Sequence, residues 1–280
     1  MKIGWLHLGG PKLASYRYRA MIPAAELKAM GHETHINEGE VDIVVLSKPD
    51  RRTLDVAKTA KKAGCKIVSD FCDDHFAHET LGETYREAAK LSDAIVAPTK
   101  VMAERVLDAT GKHAEVIPDP YEFAPHAPHA GADERLLWFG HARNLPELQQ
   151  WFPILHGCNL KIVTGDNTIV PYTRWSLQTM ARELQSATCV LLPTTKGSEY
   201  KSPNRLVNAI QAGCFPICSP HPSYEEFKDM VWVGNLWAGL RFARAFRNDL
   251  NTRLDEAQAY VEKFSPQLIG QAWEKLFASI

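Results

Sequence analysis

An apolar strand ending at Pro193 runs into a polar loop carrying Lys196, Glu199, Tyr200 and Lys201. The spacing then predicts a helix with Ser202 as its N-cap, Pro203 as its first residue and Gly213 as its left-handed stop. A helix amino end offers N–H groups without intrahelical partners and a partial positive charge, and both suit a phosphate. Lys201 and Arg205 flank that end and could neutralise a diphosphate. Glu199 or Tyr200 could hydrogen-bond sugar hydroxyls. An ordinary capped helix with its Lys and Arg facing solvent explains the same residues equally well.

The first half offers a second set. Gly9 and Gly10 follow the first strand and precede a helix, so their amides could approach a ligand, although turn chemistry explains them as readily. Tyr16, Arg17 and Arg19 begin that helix and could reach a negatively charged donor or acceptor. A surface salt bridge is the equal alternative for both arginines. The strand KIVSD runs into FCDDHF and places Asp70, Asp73, Asp74 and His75 at a strand's carboxyl end. Acids this dense beside a histidine could bind acceptor hydroxyls or accept a proton. The competing reading is a helix cap with surface carboxylates. His7, inside the first strand, reads as a satisfied core or rim residue. Trp138, Trp151, Trp175, Trp232, Trp237 and Trp273 read as packing residues.

These groups must be positioned by alternating strands and helices. Strands are expected at Lys2–Leu8, His32–Asn37, Val41–Ser47, Lys66–Asp70, Ala94–Pro98 and Ala114–Pro118, with helices at 15–30, 51–63, 82–91 and 99–109. Residues 122–133, EFAPHAPHAGAD, lack periodicity and read as a linker. Alternation restarts with strands at Arg135–Gly140, Leu160–Gly165, Cys189–Thr194 and Phe215–Ser219, and helices at 145–155, 175–187 and 203–212. Val231–Gly234 adds a short edge strand. The expectation is α/β: two Rossmann-like, doubly wound domains, 1–121 and 134–250, followed by helices over 251–280.

Composition narrows the classes. Of 280 residues, 45% are hydrophobic and 23% charged, and the net charge is −1, so no broad cationic surface for nucleic acid is expected. No apolar run approaches a membrane span, and MKIGWLHL is too short and polar-flanked for a signal peptide. Six scattered cysteines suit buried thiols in a reducing cytosol, so a cytoplasmic location is expected. His126 and His129 read as linker residues, because no cysteine or carboxylate is spaced to complete a metal site.

Several segments together resemble the retaining GT-B glycosyltransferases, broadly family 4. NAIQAGCFPICS, anchored on Gly213, resembles the family's EAMACGLPVI. SYRYRAMIPAAELKAMGHE, VAPTKVMAERV, VIPDPYE and LLWFGHARNLPELQ resemble other family segments in the same order. The departures are specific. The second of the family's two glutamates, which holds the ribose hydroxyls, is Asn208 here, and the first falls on Tyr200 with Glu199 beside it. Gly140 matches, but the family's following arginine is His141, and Arg143 stands two residues later.

The resemblance implies two domains facing a cleft (GT-B). A nucleotide-diphosphate sugar would be bound by Gly140, Arg143, Glu199, Tyr200, Lys201, Ser202, Arg205 and Asn208, with Gly9 and Gly10 facing them. It implies an acceptor hydroxyl of unknown kind (glycan, lipid-linked or small molecule) near Arg17 and Arg19. Asp73, Asp74 and His75 would be the catalytic candidates, and relatives carry an Asp or His in this loop. Retention of configuration is implied, and so are a tail packed on the first domain and, for a lipid-linked acceptor, peripheral membrane contact. No cofactor beyond the donor is expected. The acids lack the Asp-any-Asp spacing of metal-dependent glycosyltransferases, so no metal is expected either.

Overall fold

The computed structural model describes residues 1–165, 170–194 and 197–280; Lys196 and its immediate neighbour fall outside them. The first-half strands are β1 (Lys2–His7), β2 (Glu33–Ile36), β3 (Ile43–Ser47), β4 (Lys66–Asp70), β5 (Ala94–Ala97) and β6 (Glu115–Val116). All pair in parallel, in the order β2-β1-β3-β4-β5-β6. The helices are α1 (Ala14–Tyr16), α2 (Ile22–Ala29), α3 (Arg51–Lys62), α4 (Gly82–Leu91) and α5 (Lys100–Thr110). A π-helical stretch, Arg17–Met21, joins α1 to α2 and buries Arg17, Tyr18, Arg19 and Ala20 in succession.

Local chemistry explains the boundaries. Asp50 accepts from the Thr53 amide at 2.8 Å and forms a reciprocal box that starts α3. Thr99 caps α5, and Gly111, at φ +71°, ends it in the left-handed conformation.

The second-half strands are β7 (Leu136–Phe139), β8 (Leu160–Thr164), β9 (Thr173–Arg174), β10 (Cys189–Leu192), β11 (Phe215–Cys218) and β12 (Trp232–Val233). They form another parallel sheet, ordered β12-β11-β10-β7-β8-β9. The helices are α6 (Leu145–Gln149), α7 (Phe152–Leu155), α8 (Leu177–Ser186), α9 (Asn204–Gln211), α10 (Leu236–Ala245), α11 (Leu250–Val261) and α12 (Pro266–Ala278). The single helix expected over 145–155 is two, because Pro153 has no N–H to continue the first and instead opens the second. The two-residue strand β9 was not anticipated.

The chain divides into two compact units. One comprises Met1–Glu122, Tyr200–Ser202 and Lys263–Ile280, and the other Phe123–Glu199 and Pro203–Glu262. The tail therefore joins the first unit at Lys263, later than residue 251. The reason is that α11 stays with the second unit: it buries Leu250, Leu254, Ala257 and Val261, and Gln258 donates to the Ile210 carbonyl at 3.0 Å.

Within the first unit, α2 and α12 cover one sheet face. Ile3, Trp5, Val45 and Val68 meet Ala24, Leu27, Ile269 and Trp273 there. The other face buries Val44, Leu46, Ile67 and Phe71 under α3, α4 and α5, with Leu54, Tyr85 and Met102. In the second unit Trp138 is buried, whereas Trp237 is 41% exposed, contrary to the packing role expected. It lies opposite the face of α10 that buries Leu236, Gly239, Leu240 and Ala243. All six cysteines are free thiols, and among the described residues no helix is long and apolar enough to cross a membrane.

The strand order of each sheet reverses at one point, beside the edge strand in the first sheet and at the centre of the second. β1 has β2 on one side and β3 on the other, and β7 stands likewise between β8 and β10. At such a switch point successive connections run in opposite directions, and the carboxyl ends of the two strands that meet there become the place where an open α/β sheet holds a ligand.

Candidate functional site

At the second unit's switch point the chain leaves β7 through Gly140. A Cβ placed there would stand 3.2 Å from Trp138 and 3.3 Å from Nη1 of Arg205, so the glycine lets the arginine lie against the backbone. Arg205, in the first turn of α9, donates to the Phe139 carbonyl at 3.3 Å, and its charge acts on the Tyr224 hydroxyl. Tyr224 is 3% exposed, and burial pushes its pKa up to about 12, partly opposed by Arg205. It therefore stays a neutral phenol that orients the guanidinium. Sequence reasoning missed Tyr224, which carries no motif and reaches the site only through the fold.

The helix start differs by one residue from expectation. Pro203 takes the N-cap position, and among the described residues no side chain caps α9. Ser202 is not the cap, because its Oγ is buried and hydrogen-bonds to none of the described residues. The amino end of α9 thus carries the partial charge of its backbone without a side-chain acceptor laid across it.

The other expected donor residues divide between the two units. His141 accepts from the Arg143 amide at 3.2 Å and so forms a short turn that leaves Arg143 exposed. The Arg143 guanidinium has no partner among the described residues. Lys201 is exposed. Glu199 accepts from the Gly197 amide at 2.9 Å, which makes it a loop-closing residue. Tyr200 belongs to the first unit, where its ring packs on the core and lies under Arg105 at 5.9 Å. Asn208 is 1% exposed and donates to the Asn204 carbonyl at 2.7 Å within its own helix. A ribose could reach it only by displacing what buries it.

At the first unit's switch point, Gly9 follows β1 with φ +107°, a conformation that a side chain would strain. Gly10 has no atom within 4 Å of where its Cβ would stand. The two arginines offered for an acceptor are internally engaged. Arg17 pairs with Glu122 through two nitrogens and donates to the Pro11 carbonyl. Arg19, fully buried, donates to Asp70 at 2.7 Å, to Asp119 at 3.2 Å and to the Ile117 carbonyl at 2.7 Å. Here the buried structural ion pair accounts for the residues, and a ligand would have to break it.

The acidic loop after β4 is likewise ordered by cations that the sequence reading passed over. Lys48, just after β3 and in the left-handed region at φ +56°, pairs with Asp73 at 2.5 Å. Burial opposes the Lys48 charge, but Cys72 and Asp73 outweigh it and hold the ammonium above its ordinary pKa. Asp74 accepts from Arg105 at 2.9 Å and from the Phe76 amide at 3.0 Å. His75 sits edge-on to Tyr85, and its pKa is lowered, first by burial and then by Lys48 and His78, against the pull of Asp73. Its ring has no hydrogen-bond partner among the described residues. His7 departs from the expectation of a satisfied residue: it is 2% exposed, and neither ring nitrogen is paired among the described residues. Among the described residues no group of three or more His, Cys, Asp or Glu is placed to hold a metal ion.

Comparison with solved structures assigns the architecture. The chain is similar to the Anabaena Alr3699/HepE protein, solved in complex with UDP and glucose, with a TM-score of 0.70 at 13% identity and both chains covered in full. A glycosyltransferase from Rickettsia africae matches with a TM-score of 0.66 at 12% identity, over 99% of this chain and 98% of that one. A putative UDP-N-acetylglucosamine 2-epimerase from Listeria monocytogenes matches at 0.61 and 12%, over 100% and 97%. No protein-family model and no curated protein matches the sequence. The fold is therefore GT-B: two Rossmann-like units, each with a parallel six-stranded sheet.

Proposed function

We propose that this chain is a glycosyltransferase that takes a sugar from a nucleotide-diphosphate donor. The observation that carries the reading is the pairing of Gly140 with Arg205 at the second unit's switch point, beside the uncapped start of α9. Phosphate oxygens would meet the Arg205 guanidinium, the backbone amides of that helix start and, from the exposed turn, Arg143. Fixed positive charge there stabilises the leaving diphosphate as the C–O bond breaks. Because Asn208 is engaged within its helix, the ribose is held less tightly than a carboxylate would hold it.

The acceptor hydroxyl is assigned to the carboxyl ends of β3 and β4. Asp73 and Asp74 are both paired to cations, so His75 is the group of that loop left to meet a hydroxyl, and its lowered pKa keeps it a neutral proton acceptor near pH 7. Retention of configuration, without a metal and with the leaving phosphate assisting proton transfer, follows from the family resemblance and belongs to the proposal. So does a cytoplasmic site of action.

UDP-sugars are the first donors to try, because the Anabaena neighbour was solved with UDP and glucose. A thermal-shift screen of nucleotide-sugars followed by a UDP-release assay tests the reading. Stabilisation by a UDP-sugar, with release that accelerates when an acceptor is added, supports transfer. The Listeria neighbour makes an epimerase the second reading. An epimerised nucleotide-sugar formed with no acceptor present would favour it.

A further inference from the structure

The first sheet's switch point holds a side chain that neither packing nor pairing accounts for. His7 ends β1 in register with Ser47 of β3, and Ser47 is in register with Asp70 of β4, so the three share one face of the sheet. Ser47 donates to Asp70 at 3.0 Å, and Arg19 completes that carboxylate. His7 is as deeply buried as these two, yet both its nitrogens lack partners among the described residues. Its ring meets Tyr16 edge-on at 5.2 Å, a contact that a phenylalanine would make as well. Buried polar atoms without partners are uncommon, and each asks for a reason.

We propose that His7 is a binding residue for a hexose hydroxyl entering at the carboxyl ends of β1 and β3. The assignment rests on the nucleotide-sugar reading above and adds a residue that reading does not use. The groups around the ring are Lys48 after β3, Asp70 and Asp73 at and after β4, and Tyr16 on α1. Burial and Lys48 lower its pKa against Asp70, the neighbouring Leu8 backbone and Asp73, so at neutral pH it carries one N–H donor and one bare nitrogen. A hydroxyl both donates and accepts and can satisfy either nitrogen. An ionised phosphate or carboxylate only accepts, so it could meet the N–H but would leave the bare nitrogen without a donor. Gly10, three residues beyond the end of β1, has nothing among the described residues within 4 Å of where a Cβ would stand.

His7→Phe keeps the bulk of the ring and its contact with Tyr16 while removing both nitrogens. Its thermal midpoint is expected to equal or exceed that of the wild type, with UDP affinity unchanged and UDP release from UDP-glucose lowered tenfold or more. His7→Gln, which restores a donor and an acceptor, is expected to recover part of the rate. Independently of turnover, the His7 Cε1–H resonance of the full chain, assigned by its absence from His7→Phe, is expected to shift on titration with glucose or UDP-glucose. A resonance unmoved by both overturns the proposal, and so does wild-type UDP release by His7→Phe. A His7→Phe protein that melts earlier and loses UDP affinity in step marks a purely structural residue and also overturns it. A wild-type chain that binds no UDP and releases none refutes the nucleotide-sugar reading instead, and the glucose titration then decides on His7 alone.

Discussion

Arg17, Arg19 and Lys48 each meet a carboxylate, and their surroundings separate framework from site. Arg19 and Asp70 are both fully buried, and the pair also engages Ser47 and Asp119. Removing Asp70's charge leaves the buried Arg19 with Asp119 as its one remaining carboxylate among the described residues, at 3.2 Å, and breaking a buried pair of this kind costs up to about 3–5 kcal/mol. Asp70→Asn is therefore expected to lower stability by about that much in urea unfolding. A loss under about 1 kcal/mol would show that the network is not what orders the carboxyl end of β4. Gly140 belongs to the proposed donor site. Gly140→Ala places a methyl 3.3 Å from Arg205, and the guanidinium must yield. UDP affinity is expected to fall roughly fivefold, on the order of 1 kcal/mol, with little change in melting temperature. The sequence shows that charges gather here but not which partner each takes. Glu122 and Arg17 are 105 positions apart, and Asp119 and Arg19 are 100 apart. His7 was misread for the same reason, since whether a buried ring is satisfied depends on residues that only the fold brings near.

At the scale of elements, α12 shows how packing overrides propensity. A glycine inside a helix costs about 1 kcal/mol relative to alanine, so Gly270 in mid-α12 needs a reason. A Cβ there would stand 2.5 Å from Cβ of Glu26 on α2, an atom that cannot rotate away. Gly270→Ala is therefore expected to destabilise the protein by about 1–3 kcal/mol rather than stabilise it. A gain measured by chemical denaturation would contradict the close approach of α2 and α12. Trp273 packs edge-on to Trp5 at 6.2 Å and under Arg19 at 5.5 Å, so this helix also covers the Arg19 network. Most elements were legible because their apolar runs and caps are local: KIVSD is a strand end to end, and Thr99 and Gly111 bracket α5. The failures lie where distant contacts decide. β9 is two residues long and exists by pairing with β8, and α11 stays with the second unit through side chains such as Gln258.

For the whole molecule, two histidines with lowered pKa values, the buried His7 and the half-buried His75, bear on the pH response. His7 and His75 both have folded-state pKa values below the ordinary 6.5, chiefly through burial. Between the folded and unfolded values the unfolded chain binds more protons, so their contribution is complete above about pH 6.5 and falls as pH drops below it. Unfolding free energy measured in urea is expected to decrease from pH 7.5 to pH 5.5, and the decrease is expected to shrink in His7→Phe. An unchanged slope in that variant would remove His7 from the response.

The parallel order of both sheets was legible from the alternation of strands and helices, and both switch points follow from that order. The account depends most on what the second of them holds. Calorimetric titration of UDP into the wild-type chain and into Arg205→Ala tests this directly. Saturable one-site binding is expected for the wild type, weakened tenfold or more in the variant, about 1.4 kcal/mol or above. No binding to the wild type, or equal affinity in the two proteins, would contradict the placement of a diphosphate against Gly140 and Arg205.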